Sequence, residues 1–174
     1  METHWIVTLT AIIPFWLLQN VIHELSHGFT IKLGWKWKFS IYPFPSTKIG
    51  RFTWAHITYE RIPESIDPSK ERWGLIHIMP KLVNIVFVLI ASTLALAIPN
   101  DTASMLLLVF SWANLIDFGT GVVALLRSPT KKSDLVKFGE CFEIPQVNLK
   151  ISSIGLWIIL SIPTVMSTAT QFIS

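Results

Sequence analysis

Three stretches of the chain carry no charged side chain: residues 5–22, 82–100 and 151–174, runs of 18, 19 and 24 residues. A largely apolar run of about 18 residues or more is long enough to cross a bilayer as a helix. Composition points the same way, with 51% hydrophobic and only 14% charged residues, against roughly 25% charged in a soluble domain. A soluble enzyme, a disordered tail and a disulfide-stapled secreted domain are excluded as first readings. Cys141 is the single cysteine, so no disulfide forms within the chain. The first apolar run lacks a basic leader and a small-residue cleavage site, and is not expected to be a signal peptide.

The expected fold is an all-α polytopic membrane protein forming one domain over residues 1–174, with spans at about 5–33, 73–99, 102–126 and 151–173. Pro14 and Pro163 are expected to kink their helices, because each lacks a backbone donor. Of the 14 Lys and Arg residues, eight fall between Ile31 and Arg72 and five between Arg127 and Lys150. Basic loops stay cytoplasmic. Both termini are therefore expected outside the cell membrane, with the first and third spans running inward. Basic residues that flank apolar segments fit anionic lipid better than nucleic acid, and no nucleic-acid partner is expected.

The loop over 34–60 is β-rich. Lys36 to Tyr42 alternates polar and apolar residues with the period of a half-buried strand. A Pro-Phe-Pro-Ser-Thr break at 43–47 separates it from a second run, Ile49 to Tyr59. A hairpin at the cytoplasmic membrane surface is expected, followed by a polar connector from Ile62 to Arg72.

The chemistry centres on His23-Glu24-Leu25-Ser26-His27, an H-E-x-x-H motif at the inner end of the first span. Positions i and i+4 share one helix face, so both imidazoles can bind one zinc ion, and the glutamate between them can act as general base. Zinc needs a third protein ligand. Asp117 is the expected one, being the only acid inside the third span and lying at a depth similar to the histidines, about 7–15 Å from the inner edge at 1.5 Å per residue. A structural pair between Asp117 and Lys81 is the bland alternative. Asn114, three residues earlier, is a candidate oxyanion donor or a packing asparagine. His77 and Asn84 are weaker candidates, with His77 a spare ligand. His4, His56 and the remaining loop acids carry no spacing signal.

With its H-E-x-x-H closing an apolar first span and an aspartate in a later one, the chain resembles the site-2 protease type of intramembrane zinc metalloprotease. It is more closely similar to the small zincin membrane peptidases, in Ile76-His77-Ile78-Met79-Pro80, in Ile116-Asp117 through Val122 to Arg127, and in Lys137 to Ile144. The likeness covers residues 15–145, and only the zinc motif is highly specific. It implies His23, His27 and Asp117 as zinc ligands and Glu24 as the catalytic acid/base. Asn114-Leu115-Ile116-Asp117-Phe118-Gly119 is compressed relative to the site-2 protease pattern, which weakens any role carried over to Asn114.

The expected activity is hydrolysis of peptide bonds in membrane-associated substrates near the cytoplasmic face. The hairpin edge is expected to hold an unwound substrate strand. Two other readings stand beside it: a zinc-binding regulatory or scaffold protein without proteolysis, and a transporter subunit using the intramembrane acids as an ion path.

Overall fold

The computed structural model describes residues 2–35, 38–42, 55–60, 69–98, 102–127 and 133–173. Four long helices dominate them: α1 (Glu2–Trp35), α2 (Lys70–Ala97), α3 (Thr102–Arg127) and α5 (Gln146–Ile173). Each is long and apolar enough to cross a membrane. The chain is a multi-pass membrane protein with a small two-stranded insertion between its first two spans. Isoleucine, leucine and valine side chains remain exposed along the outward helix faces, among them Ile13, Val86, Ile90, Ile159 and Val165. In water such surfaces would aggregate; in a bilayer they meet acyl chains of equal polarity.

Helix α2 is central and touches α1, α3 and α5. Its start differs from expectation. The helix begins at Lys70, inside the stretch expected to be a connector, because Ser69 caps it by accepting from the Arg72 N–H and Glu71 suits the first turn. Likewise α5 starts at Gln146, before its uncharged run, and carries Lys150 within its first turns. Beyond Pro14 and Pro163, a third proline, Pro80, lies inside a helix, α2.

The spanning helices are joined by hydroxyls. Ser92, Ser111 and Thr164 close a triangle with oxygens 2.8, 3.0 and 3.0 Å apart, and the Ser167 hydroxyl donates to the Ser92 carbonyl. Lipid offers no hydrophobic drive for helix association, so small residues and interhelical hydrogen bonds supply it, at about 0.6 kcal/mol per bond on average. Apolar packing of Val88, Leu115 and Leu160 adds to the same α2–α3–α5 interface.

Two further elements sit at the end of the bundle that carries the loops. Strands β1 (Lys38–Tyr42) and β2 (His56–Glu60) pair antiparallel, with Phe39 opposite Tyr59 and Ile41 opposite Ile57. The expected hairpin therefore forms, with both strands shorter than the β-rich runs; residues 43–54, including the Pro43–Thr47 break, lie outside the described residues. A fifth helix that sequence reading did not separate, α4 (Asp134–Cys141), is amphipathic. It buries Leu135 and Val136 against Phe118, Val122, Leu125 and Leu149. That anchor fixes the first residue of α4, Asp134, against the bundle.

Gly28 seats the hairpin on α1. A Cβ there would come within 2.5 Å of the Ile57 side chain and 2.7 Å of the Phe39 ring. Both side chains belong to the hairpin face that also carries Tyr59. The substitution Gly28→Val should lift the hairpin off α1 and speed proteolytic nicking within residues 38–60 at least tenfold in detergent, while the helical content is kept. Nicking at the wild-type rate would contradict this seating.

Candidate metal centre

The H-E-x-x-H turn of α1 faces α2, α3 and α4. His23 and His27 stand one turn apart with ring centroids 5.2 Å apart. Opposite them is Asp134 from α4. Its Oδ2 lies 3.1 Å from His23 Nε2 and 3.5 Å from His27 Nε2. One ligand atom from each of these three residues lies within 4.8 Å of the other two. Tetrahedral zinc with bonds of about 2.0–2.1 Å places its ligand atoms about 3.3 Å apart. The donor set and its spacing both fit.

The other ring nitrogens define the chemistry. His27 Nδ1 is 2.8 Å from the Ile76 carbonyl oxygen, which can only accept, so Nδ1 carries the hydrogen. His23 Nδ1 is 2.9 Å from Asp117 Oδ2. That oxygen already accepts from Lys81 Nζ at 3.0 Å and from Asn84 Nδ2 at 2.6 Å, so His23 Nδ1 donates too. With hydrogen on Nδ1 in both rings, each Nε2 is turned toward a carboxylate oxygen of Asp134, to which a doubly protonated ring would donate and with which a neutral ring could share a cation. Three acceptors in such proximity repel unless protons or a cation lie between them. Each histidine thus has the outer-sphere partner typical of a metal ligand, which fixes ring orientation and tautomer.

Asp117 therefore occupies a different place from the expected one. It stands behind His23, on the nitrogen away from His27, and the carboxylate facing both Nε2 atoms is that of Asp134. The depth comparison does bring Asp117 to the histidines, and the pair with Lys81 weighed as its alternative role also forms, at 3.0 Å. Lys81 is only 3% exposed and donates to both the side chain and the main-chain oxygen of Asp117. A buried lysine in a spanning helix needs such a partner. With three donors converging on Oδ2, Asp117 is held as a hydrogen-bond acceptor.

The network extends inward and outward. Gln19 Nε2 donates to Asn84 Oδ1 at 2.6 Å, continuing the buried chain from Asp117 along α1 and α2. On the other side, His77 Nδ1 lies 3.1 Å from Asp134 Oδ1, so the expected spare ligand instead steadies the second oxygen of that carboxylate. Burial pushes the Asp134 carboxyl up, but hydrogen bonds to His23, His27 and His77 outweigh it and hold the group well below the usual carboxylate range.

Glu24 is within the same group, and its carboxylate accepts a hydrogen bond from the backbone of Ile57 in β2. Asn114 is elsewhere: its Nδ2 donates to the Phe110 carbonyl one turn back along α3, and its Oδ1 is buried without a partner. It touches none of the three metal-facing atoms. Tyr59 is a residue that sequence reading missed. The residue is 37% exposed as a whole, yet its phenol is pushed up by burial and by the carboxylates of Glu24 and Asp134. One signal for Asp134 was present in the sequence, a serine followed by an acid opening an amphipathic turn.

Comparison with protein-family models, with curated proteins and with solved structures gives no match for this chain.

The two aspartates are separable. Asp134→Asn should abolish stoichiometric zinc uptake by the purified protein. Asp117→Asn should retain zinc with an affinity weakened about 10- to 100-fold, the usual cost of losing an outer-sphere partner. Competition titration with a chromophoric chelator measures both, and the opposite ranking would make Asp117 the ligand.

Proposed function

We propose that this protein is an intramembrane zinc metalloprotease, with zinc held by His23, His27 and Asp134 and with Glu24 as general base. One observation carries the reading: two imidazoles, each tied down through Nδ1, aim their Nε2 atoms at a single carboxylate oxygen, with the Glu24 carboxylate close by. Bound zinc supplies Lewis acidity, polarising a carbonyl oxygen and lowering the pKa of water to about 7.

The residues of the chain do the rest. Glu24 takes the proton given up by the attacking water as the new carbon–oxygen bond forms. It returns that proton to the amine nitrogen as the carbon–nitrogen bond breaks. Glu24 keeps lone pairs for this work beyond the one engaged by Ile57, since an ionised carboxylate offers about four acceptor positions. The Tyr59 phenol, kept neutral beside two carboxylates, is the donor we assign to the substrate oxygen on which negative charge develops. It takes the role expected of Asn114, which lies away from the site.

The substrate class follows from the setting. The H-E-x-x-H turn lies at the loop-bearing end of four spans, and the excess of Lys and Arg in those loops supports a cytoplasmic setting at the cell membrane, with both termini outside. A spanning helix hides its carbonyls in internal hydrogen bonds, so a membrane-protein substrate must unwind locally before cleavage. An unwound segment can pair with the edge of the hairpin, which reaches Glu24 through Ile57.

A zinc-binding scaffold without hydrolysis is the second reading, favoured by the same Ile57 contact, which engages the carboxylate that catalysis would use. The two separate in one experiment. Glu24→Gln should bind zinc like wild type and lose cleavage of co-reconstituted single-span proteins by at least about 100-fold. Tyr59→Phe should slow cleavage about 100-fold with zinc affinity unchanged. Absence of cut products from zinc-loaded wild type against a panel of such proteins would favour the scaffold.

A further inference from the structure

Pro80 sits inside α2 and has no N–H to give. In an unbroken helix the residue at position 80 would donate to the carbonyl of residue 76, four positions back. The Ile76 carbonyl is thereby released from the helix ladder, and it is the group that accepts from His27 Nδ1 at 2.8 Å. Ile76 is 1% exposed and His27 6%. No water competes for this oxygen, and an imidazole N–H is its partner. Prolines persist in spanning helices where a neighbour satisfies the carbonyl they release.

The geometry points to Pro80 as a positioning residue for the metal centre: by removing one backbone donor it dedicates the Ile76 carbonyl to His27, and so fixes that imidazole with its Nε2 toward Asp134. This rests on the zinc reading above and deepens it. The arrangement gives the two histidines different kinds of support. His23 is held by a side-chain carboxylate that Lys81 and Asn84 fix in place, whereas His27 is held by a main-chain oxygen that no side-chain substitution at 76 can remove. Restoring an N–H at position 80 would make the Ile76 carbonyl a shared acceptor, loosening the ring without touching any ligand.

The test compares Pro80→Ala with Pro163→Ala, a helix-interior proline of α5 remote from the histidines, in purified detergent-solubilised protein. Zinc affinity is read by chelator competition, and ligand geometry by the visible absorption of the Co2+-loaded form. Pro80→Ala should weaken zinc binding about tenfold or more and shift the Co2+ bands, while Pro163→Ala leaves both as in wild type. Wild-type affinity and an unshifted spectrum in a folded Pro80→Ala protein would overturn the inference. Equal losses in both proline variants would also overturn it, as a general effect of repairing helices. Ring 15N shifts of zinc-loaded wild type keep the test independent of how the variants fold: His27 must carry hydrogen on Nδ1 and metal on Nε2, and the reverse assignment overturns the proposal. Wild-type protein that takes up no stoichiometric zinc would bring down the metal reading itself, and this role of Pro80 with it.

Discussion

A neutral imidazole has one nitrogen that donates and one that accepts, and in an apolar interior neither can be left to find water. At His23 and His27 the donating nitrogen is spent on a partner behind the ring, Asp117 in one case and the Ile76 carbonyl in the other. The two Nε2 atoms then face a shared space around an oxygen of Asp134. Acceptors do not gather around one point without positive charge among them. The rest of the architecture reads as the means of holding that arrangement. Lys81 and Asn84 hold Asp117, His77 holds the far oxygen of Asp134, and the apolar face of α4 holds Asp134 itself.

The division of labour follows the solvent. Inside the spanning bundle, cohesion comes from close helix contact and from buried hydroxyls that bond between helices, as in the Ser92–Ser111–Thr164 triangle. Toward the loop-bearing end, longer polar side chains replace the hydroxyls, and the chain Gln19–Asn84–Asp117–His23 leads from the packed spans into the site. The hairpin closes over the same turn of α1, resting on Gly28 and reaching Glu24 through Ile57. A helical frame thus carries the imidazoles, while the two-stranded hairpin lies next to Glu24.

Much of this was legible in the sequence. Uncharged runs and one acid-interrupted span gave four crossings, since a bilayer punishes unpaired charge over a known thickness. Period-two alternation through Lys36–Tyr42 marked the first strand of the hairpin, and the i, i+4 histidines marked the candidate site. The carboxylate that faces the two histidines was not legible, for a physical reason. Asp117 stood out because an acid within a span is costly, but that cost is met by Lys81 as readily as by a metal, and a linear sequence does not say which. Asp134 looked like an ordinary loop acid beside Lys131 and Lys132. Only the packing of Leu135 and Val136, a long-range contact with α3 and α5, carries it to the histidines. Asn114 shares the apolar context of Asp117 yet bonds back along its own helix. Tyr59 lies on a strand whose face is decided by Gly28 on another element.

The most direct test of the centre is X-ray absorption at the zinc edge on the purified, zinc-loaded protein. The account predicts one zinc per chain with a first shell of nitrogen and oxygen at about 2.0–2.1 Å, outer-shell scattering from two imidazoles, and loss of one light-atom ligand in the Asp134→Asn protein. A protein that holds no zinc after dialysis, or zinc without imidazole scattering, would contradict it.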